Sequence, residues 1–101
     1  MAQILILYPS GPSFDLDYYL KSHIPLVSKV WGPLGLQGWD VLTFPTGAPY
    51  QVQVTLKWKS LEAYEQAATG KPAEGLFGDI KNFTTAEPIL LKGSVVGSSV
   101  E

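Results

Sequence analysis

The clearest pattern of apolar and polar positions lies in residues 51–58, where the two kinds of side chain alternate strictly. Such alternation is typical of a strand with one buried face. That face would carry Val52, Val54, Leu56 and Trp58. Residues 2–8, 39–44 and 88–96 are further apolar, β-prone runs. The chain therefore contains four predicted strands, and Gly93 in the last one indicates a bulge or the close approach of another chain.

Residues 15–31 carry a helical pattern whose apolar stripe includes a titratable side chain. At roughly 100° per residue, the stripe contains Leu16, Leu20, His23, Val27 and Val30. His23, the single histidine of the chain, is thus predicted to face the core. Ser13 or Asp15 is the predicted N-cap. Pro25 removes one backbone hydrogen bond, so we expect a kink beside His23.

The order of elements predicts the fold. Ser60 should cap a helix over residues 61–69, and residues 72–80 should form a shorter one. Strand, helix, strand, strand, helix, strand is the split βαβ order of an α+β, ferredoxin-like fold, with a four-stranded antiparallel sheet and both helices on one face. Because the first strand is apolar on both faces, we expect two sheets to pack face to face in a homodimer. We predict one domain, residues 1–97, followed by a flexible tail, residues 98–101.

The composition narrows the classes of partner. Nine acidic and seven basic residues give a net charge of -2, which provides no basic surface for nucleic acid or for a membrane. The N-terminal apolar run lacks a basic start and meets Pro9 too early for a signal peptide or a membrane span. The chain contains no cysteine, which fits a cytoplasmic protein. We therefore expect a cytoplasmic protein whose ligand is a small molecule.

The residue types also limit the cofactors. One histidine and no cysteine cannot form a three-ligand transition-metal site within one subunit. The sequence has neither a phosphate-binding loop nor a dinucleotide fingerprint. We expect no metal and no cofactor, although the sequence leaves haem, on a single axial histidine, or a loosely bound flavin open.

His23 is the leading candidate for chemistry, as a general acid or base near neutral pH. The alternative is a core histidine whose ring nitrogens are satisfied by its neighbours. Tyr19, one helical turn earlier, would hydrogen-bond the histidine or a substrate oxygen, or serve only in packing. Asp40, at the start of the second predicted strand, would orient the imidazole unless it is a solvated carboxylate at the strand end. Substrate-binding walls are expected from Tyr8, Val27, Trp31, Trp39, Phe77 and Phe83.

Four stretches of the chain resemble the EthD family, which is named after a protein of ethyl tert-butyl ether degradation. They are residues 4–9, 14–26, 60–64 and 79–88. The most specific piece is Asp-x-Asp-Tyr-Tyr-x-x-x-His-x-Pro-Leu, and the similarity spans nearly the whole chain. The resemblance implies a dimeric α/β barrel with a pocket between helices and sheet, and it places His23 at the family's histidine position.

The resemblance and the residues together lead to three functional hypotheses. The first is a cofactor-independent enzyme that uses His23 for acid/base chemistry on an oxygenated apolar substrate, by isomerisation, cyclisation, dehydration or decarboxylation. The second, implied by the resemblance, is an oxidoreductase or monooxygenase in the catabolism of organic compounds. The third is a non-catalytic small-molecule binding or accessory protein.

Overall fold

The computed structural model describes residues 1–99, and in it four strands form one antiparallel sheet. The strands are β1 (Ala2–Pro9), β2 (Leu36–Thr43), β3 (Tyr50–Trp58) and β4 (Ile89–Ser94). Their order across the sheet is β2-β3-β1-β4, so the last strand pairs with the first. This arrangement confirms the predicted ferredoxin-like α+β fold. The predicted tail, residues 98–101, lies partly outside the described residues.

The strand ends differ slightly from the prediction. Of the two alternatives predicted for Gly93, a bulge is absent from the β1–β4 pair, and the close approach of another chain stays a prediction. The register between these strands runs without a break from Ala2 opposite Ser94 to Leu7 opposite Ile89. Irregularities occur instead in the β1–β3 pair at the end of β1 and in the β2–β3 pair at the start of β2.

All of the helical elements lie before β2 or between β3 and β4. The first unit consists of α1 (Leu16–Tyr18), a π-helical turn (Tyr19–His23) and α2 (Ile24–Trp31). The second consists of α3 (Leu61–Thr69) and α4 (Ala73–Gly78), followed by a 3₁₀ turn at Ile80–Asn82. No helix within residues 1–99 is long and apolar enough to cross a membrane.

The predicted kink beside His23 takes the form of this π-helical turn. Pro25 has no N–H to donate to the carbonyl of Lys21, and the helix widens one turn earlier, where the Ile24 N–H bonds the Tyr19 carbonyl. The wider turn rotates the following residues relative to a regular helix. Leu20, predicted inside the stripe, is therefore 39% exposed, and the buried side chains of this unit are Tyr19, His23, Ile24, Val27 and Trp31.

One face of the sheet and the helices enclose the core. On β3 the buried residues are the four predicted from alternation, and β1 adds Ala2, Ile4 and Tyr8. The other face carries the intervening residues of β1 and β3 together with residues of β4. Leu5 of β1 lies there opposite Leu91 of β4, and Leu7 lies opposite Ile89. Leu91 is 50% exposed. The helices therefore cover only one of the two apolar faces of β1.

Ser60 provides a direct test of the helix assignment. Its Oγ accepts a hydrogen bond from the Ala63 N–H at 3.1 Å, which satisfies one free donor at the start of α3. Ser60→Ala should lower the free energy of unfolding by about 1 kcal/mol, measured by urea denaturation. Ser22→Ala, at an exposed serine of the π-helical turn, is the matched control. An equal loss in both variants would contradict the cap.

Candidate functional site

An apolar cavity of about 100 Å³ lies between the sheet and the helices. Side chains from β1, β3, β4, α2, α4 and the π-helical turn border it. The aliphatic part of the wall includes Ile6, Ile24, Leu56, Leu76, Ile80 and Leu90. Within the described part of the chain, the ionisable groups at the wall are those of His23, Tyr8 and Tyr19. The cavity therefore combines an uncharged apolar wall with one imidazole and two phenols.

His23 is held in a fixed orientation at this wall. The residue is 6% exposed. Its imidazole packs against the ring of Tyr19, with centroids 5.1 Å apart and an interplanar angle of 29°, and against the ring of Phe83, with centroids 4.8 Å apart. The rings of Tyr19 and Phe83 also contact each other, with centroids 4.9 Å apart. The π-helical turn places Tyr19 and His23 four residues apart on the buried side of the helix. Packing alone therefore restricts the ring to a narrow range of positions.

Asp79 is the carboxylate that bonds the imidazole. His23 Nδ1 lies 2.9 Å from Asp79 Oδ2. The other oxygen, Oδ1, accepts hydrogen bonds from the Tyr18 hydroxyl at 2.7 Å and from the Asn82 amide at 2.8 Å. Burial acts to raise the pKa of Asp79, but these three hydrogen bonds outweigh it and hold the pKa below its usual range. The carboxyl group is therefore ionised at neutral pH.

The chain around Asp79 is tied to the start of the first helical unit. Asp79 follows α4 directly, and the 3₁₀ turn after it positions Asn82. The Asp15 N–H donates to the Phe83 carbonyl at 2.8 Å, and the Thr84 hydroxyl donates to the Ser13 carbonyl at 2.7 Å. The two segments that carry the His23–Asp79 pair are therefore bonded to each other through backbone groups as well.

The ionised carboxylate of Asp79 determines which nitrogen of the His23 ring carries the proton. A carboxylate only accepts hydrogen bonds, so the proton of a neutral His23 ring must be on Nδ1. Nε2 then carries a lone pair. This nitrogen has no hydrogen-bond partner within residues 1–99, and the ring borders the cavity. The arrangement can therefore take a proton from a molecule in the cavity, or return one to it.

The two phenols of the cavity are not alternative bases. Burial raises the pKa of Tyr8 to about 12. Burial also raises the pKa of Tyr19, with further contributions from the nearby Tyr8. Both hydroxyls thus stay protonated at physiological pH and act as neutral polar groups. Among the lining side chains, His23 is the one of a type that exchanges protons near neutral pH.

The structure brings most of the predicted site residues together. Six of them border the cavity: Tyr8, Tyr19, His23, Val27, Trp31 and Phe77. Phe83 does not border it, but packs behind the imidazole. Trp39 is 40% exposed and borders a separate shallow depression beside Ser28.

Asp40 requires a correction. Its Oδ2 lies 2.9 Å from Lys57 Nζ, and its side chain is 66% exposed. Asp40 is opposite Thr55 in the β2–β3 register, on the sheet face away from the helices. Asp40 therefore cannot orient His23. The carboxylate that bonds the imidazole is that of Asp79.

Sequence reasoning missed Asp79, Tyr18 and Asn82 as parts of the site. The His23–Asp79 bond joins positions 56 residues apart, so no local periodicity indicates it. The one available signal was the stretch 79–88, which contains Asp79 and Asn82 and contributes to the EthD resemblance. Within residues 1–99 no group of three metal-ligating side chains is close enough to hold an ion.

Known proteins resemble the chain in structure. No family model and no curated protein sequence matches it. An EthD-like protein from Ralstonia eutropha JMP134 has a TM-score of 0.82 at 27% identity, over 98% of this chain and 95% of that one. An EthD family protein from Bacillus halodurans C-125 has a TM-score of 0.74 at 18% identity, over 95% and 99%.

A dimeric ferredoxin-like protein from Jannaschia sp. CCS1 has a TM-score of 0.68 at 12% identity, over 93% of this chain and 98% of that one. At this identity the likeness shows the fold alone. The chain therefore has the ferredoxin-like fold, and its similarity to EthD-like proteins, predicted from the sequence, is confirmed by the structures it resembles.

Proposed function

We propose that this protein is a small-molecule enzyme in which His23 transfers a proton to or from a substrate held in the apolar cavity. One observation carries the proposal: Asp79 bonds Nδ1, while Nε2 of the same ring is left without a protein partner at the cavity wall. A histidine that served only the core would have both nitrogens satisfied. This geometry favours acid/base chemistry over a packing role.

The cavity wall indicates the substrate's character. No lysine, arginine or carboxylate among residues 1–99 borders the cavity, so a charged substrate would lose its hydration without gaining a counterion from them. A neutral, largely apolar molecule gains most from this site. It needs a carbonyl oxygen, because the carbonyl group makes a neighbouring C–H acidic enough for an imidazole in an active site to remove its proton.

The proposed step is a proton transfer that needs no added oxidant or reductant. His23 Nε2 removes a proton from the carbon beside a carbonyl group, and the electron pair of the C–H bond moves onto the carbonyl oxygen. The resulting imidazolium is stabilised by the ionised Asp79. The protonated hydroxyl of Tyr8 or Tyr19 is available to hydrogen-bond the enolate oxygen. Where the enolate is conjugated with a C=C bond, return of the proton to the far carbon of that system moves the double bond and completes an isomerisation.

Asp79 acts as a positioning residue in this scheme. It fixes the tautomer and holds the ring against Tyr19 and Phe83, as the carboxylate of a Ser–His–Asp triad does for its histidine. Tyr18 and Asn82 in turn hold the carboxylate. Substitution of Tyr18 or Asn82 should therefore lower the catalysed rate less than substitution of Asp79 does.

We also infer that the protein forms a homodimer through the uncovered sheet face. This face presents adjacent leucine and isoleucine side chains of β1 and β4, among them Leu91 and Ile89 at 50% and 42% exposure. Apolar patches of this kind on a sheet mark an interface. The ferredoxin-like protein from Jannaschia sp. CCS1, which has the same fold, is itself dimeric.

The first prediction concerns His23. Wild-type protein should catalyse hydrogen–deuterium exchange next to the carbonyl of 2-indanone in D₂O, followed by proton NMR. His23→Gln should lower the catalysed rate by roughly 10²- to 10⁴-fold, because the amide cannot take a proton. Lys21→Gln, at an exposed position of the same turn, is the matched control and should exchange at the wild-type rate.

Each other outcome of that experiment indicates a different function. Exchange at the wild-type rate in His23→Gln would contradict the proposal. Binding of the ketone without any catalysed exchange would favour a non-catalytic binder. Uptake of one dioxygen per product, measured with an oxygen electrode, would favour the monooxygenase hypothesis.

The second prediction concerns Asp79 and pH. Because the folded pKa of Asp79 lies below its unfolded value, the ionised carboxylate stabilises the fold above about pH 4, and this contribution disappears as the pH falls through the folded pKa. The difference in unfolding free energy between wild type and Asp79→Asn should therefore shrink as the pH falls below about 4. Urea denaturation at several pH values measures it. A difference that stays constant into strong acid would contradict the assignment.

The third prediction concerns the dimer. Leu91→Lys places a charge in the uncovered sheet face and should convert the dimer to monomers, because a buried unpaired ammonium group is costly. Analytical ultracentrifugation measures the mass. Leu34→Lys, at a similarly exposed leucine outside the sheet, is the matched control. A monomeric wild type would refute the dimer.

A further inference from the structure

Phe77 borders the cavity and is also the most exposed residue of its wall. It is 44% exposed, and Leu90 follows at 40%. Most of the other wall residues are buried, among them His23, Trp31 and Leu76. A side chain that borders a cavity and also meets solvent lies at the boundary between the two. Phe77 of α4 and Leu90 of β4 therefore mark the mouth of the cavity.

The two sides of the mouth differ in their freedom to move. Leu90 belongs to the unbroken β1–β4 ladder, whose hydrogen bonds fix its backbone. Phe77 lies on α4, a helix of six residues, between Gly75 and Gly78. Outside α4 and the adjoining Asp79, no heavy atom of residues 1–99 lies within 4 Å of the position that a Cβ would take on either glycine. The ring of Phe77 therefore has room to turn towards solvent over α4.

One aromatic contact holds the ring of Phe77 in its inward position. It meets the edge of Trp31, with centroids 6.2 Å apart and an interplanar angle of 71°. Trp31 is itself fixed by edge contacts with Trp58 and Tyr64. Leu76, the residue before Phe77, is buried and anchors α4. Rotation of Phe77 therefore breaks one weak contact and leaves the core in place.

The volume of the cavity makes this rotation necessary for a ligand built on an aromatic ring. Apolar cavities of about 150 Å³ hold one benzene molecule. The cavity here has about 100 Å³ with Phe77 turned inward. Its buried walls are part of a close-packed core and yield little. The far end of such a ligand must therefore extend through the mouth, where it meets Phe77.

We propose that Phe77 is the specificity-determining residue of the cavity. Its ring turns outward to admit a neutral ketone built on a single fused ring system, and it limits how far a longer molecule can extend through the mouth. That the ligand is a ketone rests on the proposed function. The position of the mouth and the size limit do not.

The test compares two ketones that share the same reacting carbons but differ in length. 5-Phenyl-2-indanone carries one more ring than 2-indanone at the end away from the carbonyl. Dissociation constants from ¹⁵N NMR titrations should show that wild-type protein prefers 2-indanone. Phe77→Ala should reduce this preference about tenfold, because the shorter side chain leaves the mouth open.

Two further variants sharpen the comparison. Phe77→Trp places a larger ring at the mouth and should increase the preference for 2-indanone, and it also keeps the test available if Phe77→Ala fails to fold. Leu34→Ala is the matched control, because Leu34 is 43% exposed and does not border the cavity. It should keep the wild-type preference.

The outcomes separate this inference from the proposed function, because binding is measured apart from exchange. If His23→Gln abolishes exchange but the preference is unchanged in Phe77→Ala and Phe77→Trp, the inference is overturned and the role of His23 stands. If the preference follows the size of residue 77 but His23→Gln exchanges at the wild-type rate, the proposed function fails and the role of Phe77 stands. Equal binding of both ketones by wild-type protein, or no binding of 2-indanone at millimolar concentration, overturns the inference.

Discussion

The hydrogen bond between His23 Nδ1 and Asp79 Oδ2 is the interaction on which the whole candidate site depends. It fixes the tautomer of the imidazole, sets the direction of Nε2 and links the first helical unit to the segment after α4. The bond is strong because Asp79 stays charged, and Asp79 stays charged because Tyr18 and Asn82 satisfy its second oxygen. Tyr18 and Asn82 therefore support the tautomer and orientation of the His23 imidazole through Asp79, without a hydrogen bond of their own to the ring.

The π-helical turn makes this bond compatible with the rest of the packing. A regular helix interrupted by Pro25 would have an unsatisfied carbonyl and would keep Leu20 in the apolar stripe. The wider turn moves Leu20 outward and buries Tyr19 and His23 together, where their rings stack. The local irregularity thus serves both the core and the site, as such turns often do.

The sequence predicted the fold well because each element carries its own signal. Strict alternation identified β3, Ser60 marked the start of α3, and the element order determined the sheet topology. The site was predictable only in part. His23 was found from its place in the stripe, but the choice of Asp40 as its partner was wrong, because nothing in the local sequence indicates which distant carboxylate will reach the ring. That pairing depends on loop geometry between residues 79 and 84, and periodicity does not encode such geometry.

The pairing of the first strand with the last has a consequence for when the candidate site can form. β1 bonds to β3 and β4, and the site joins positions 23 and 79, so the contacts that matter most are distant in sequence. Such topologies fold more slowly than helical bundles, since long loops must close before their contacts can form. No N-terminal fragment that ends before Asp79 contains the pair. During synthesis, the His23–Asp79 pair can therefore form only after residue 79 has been made.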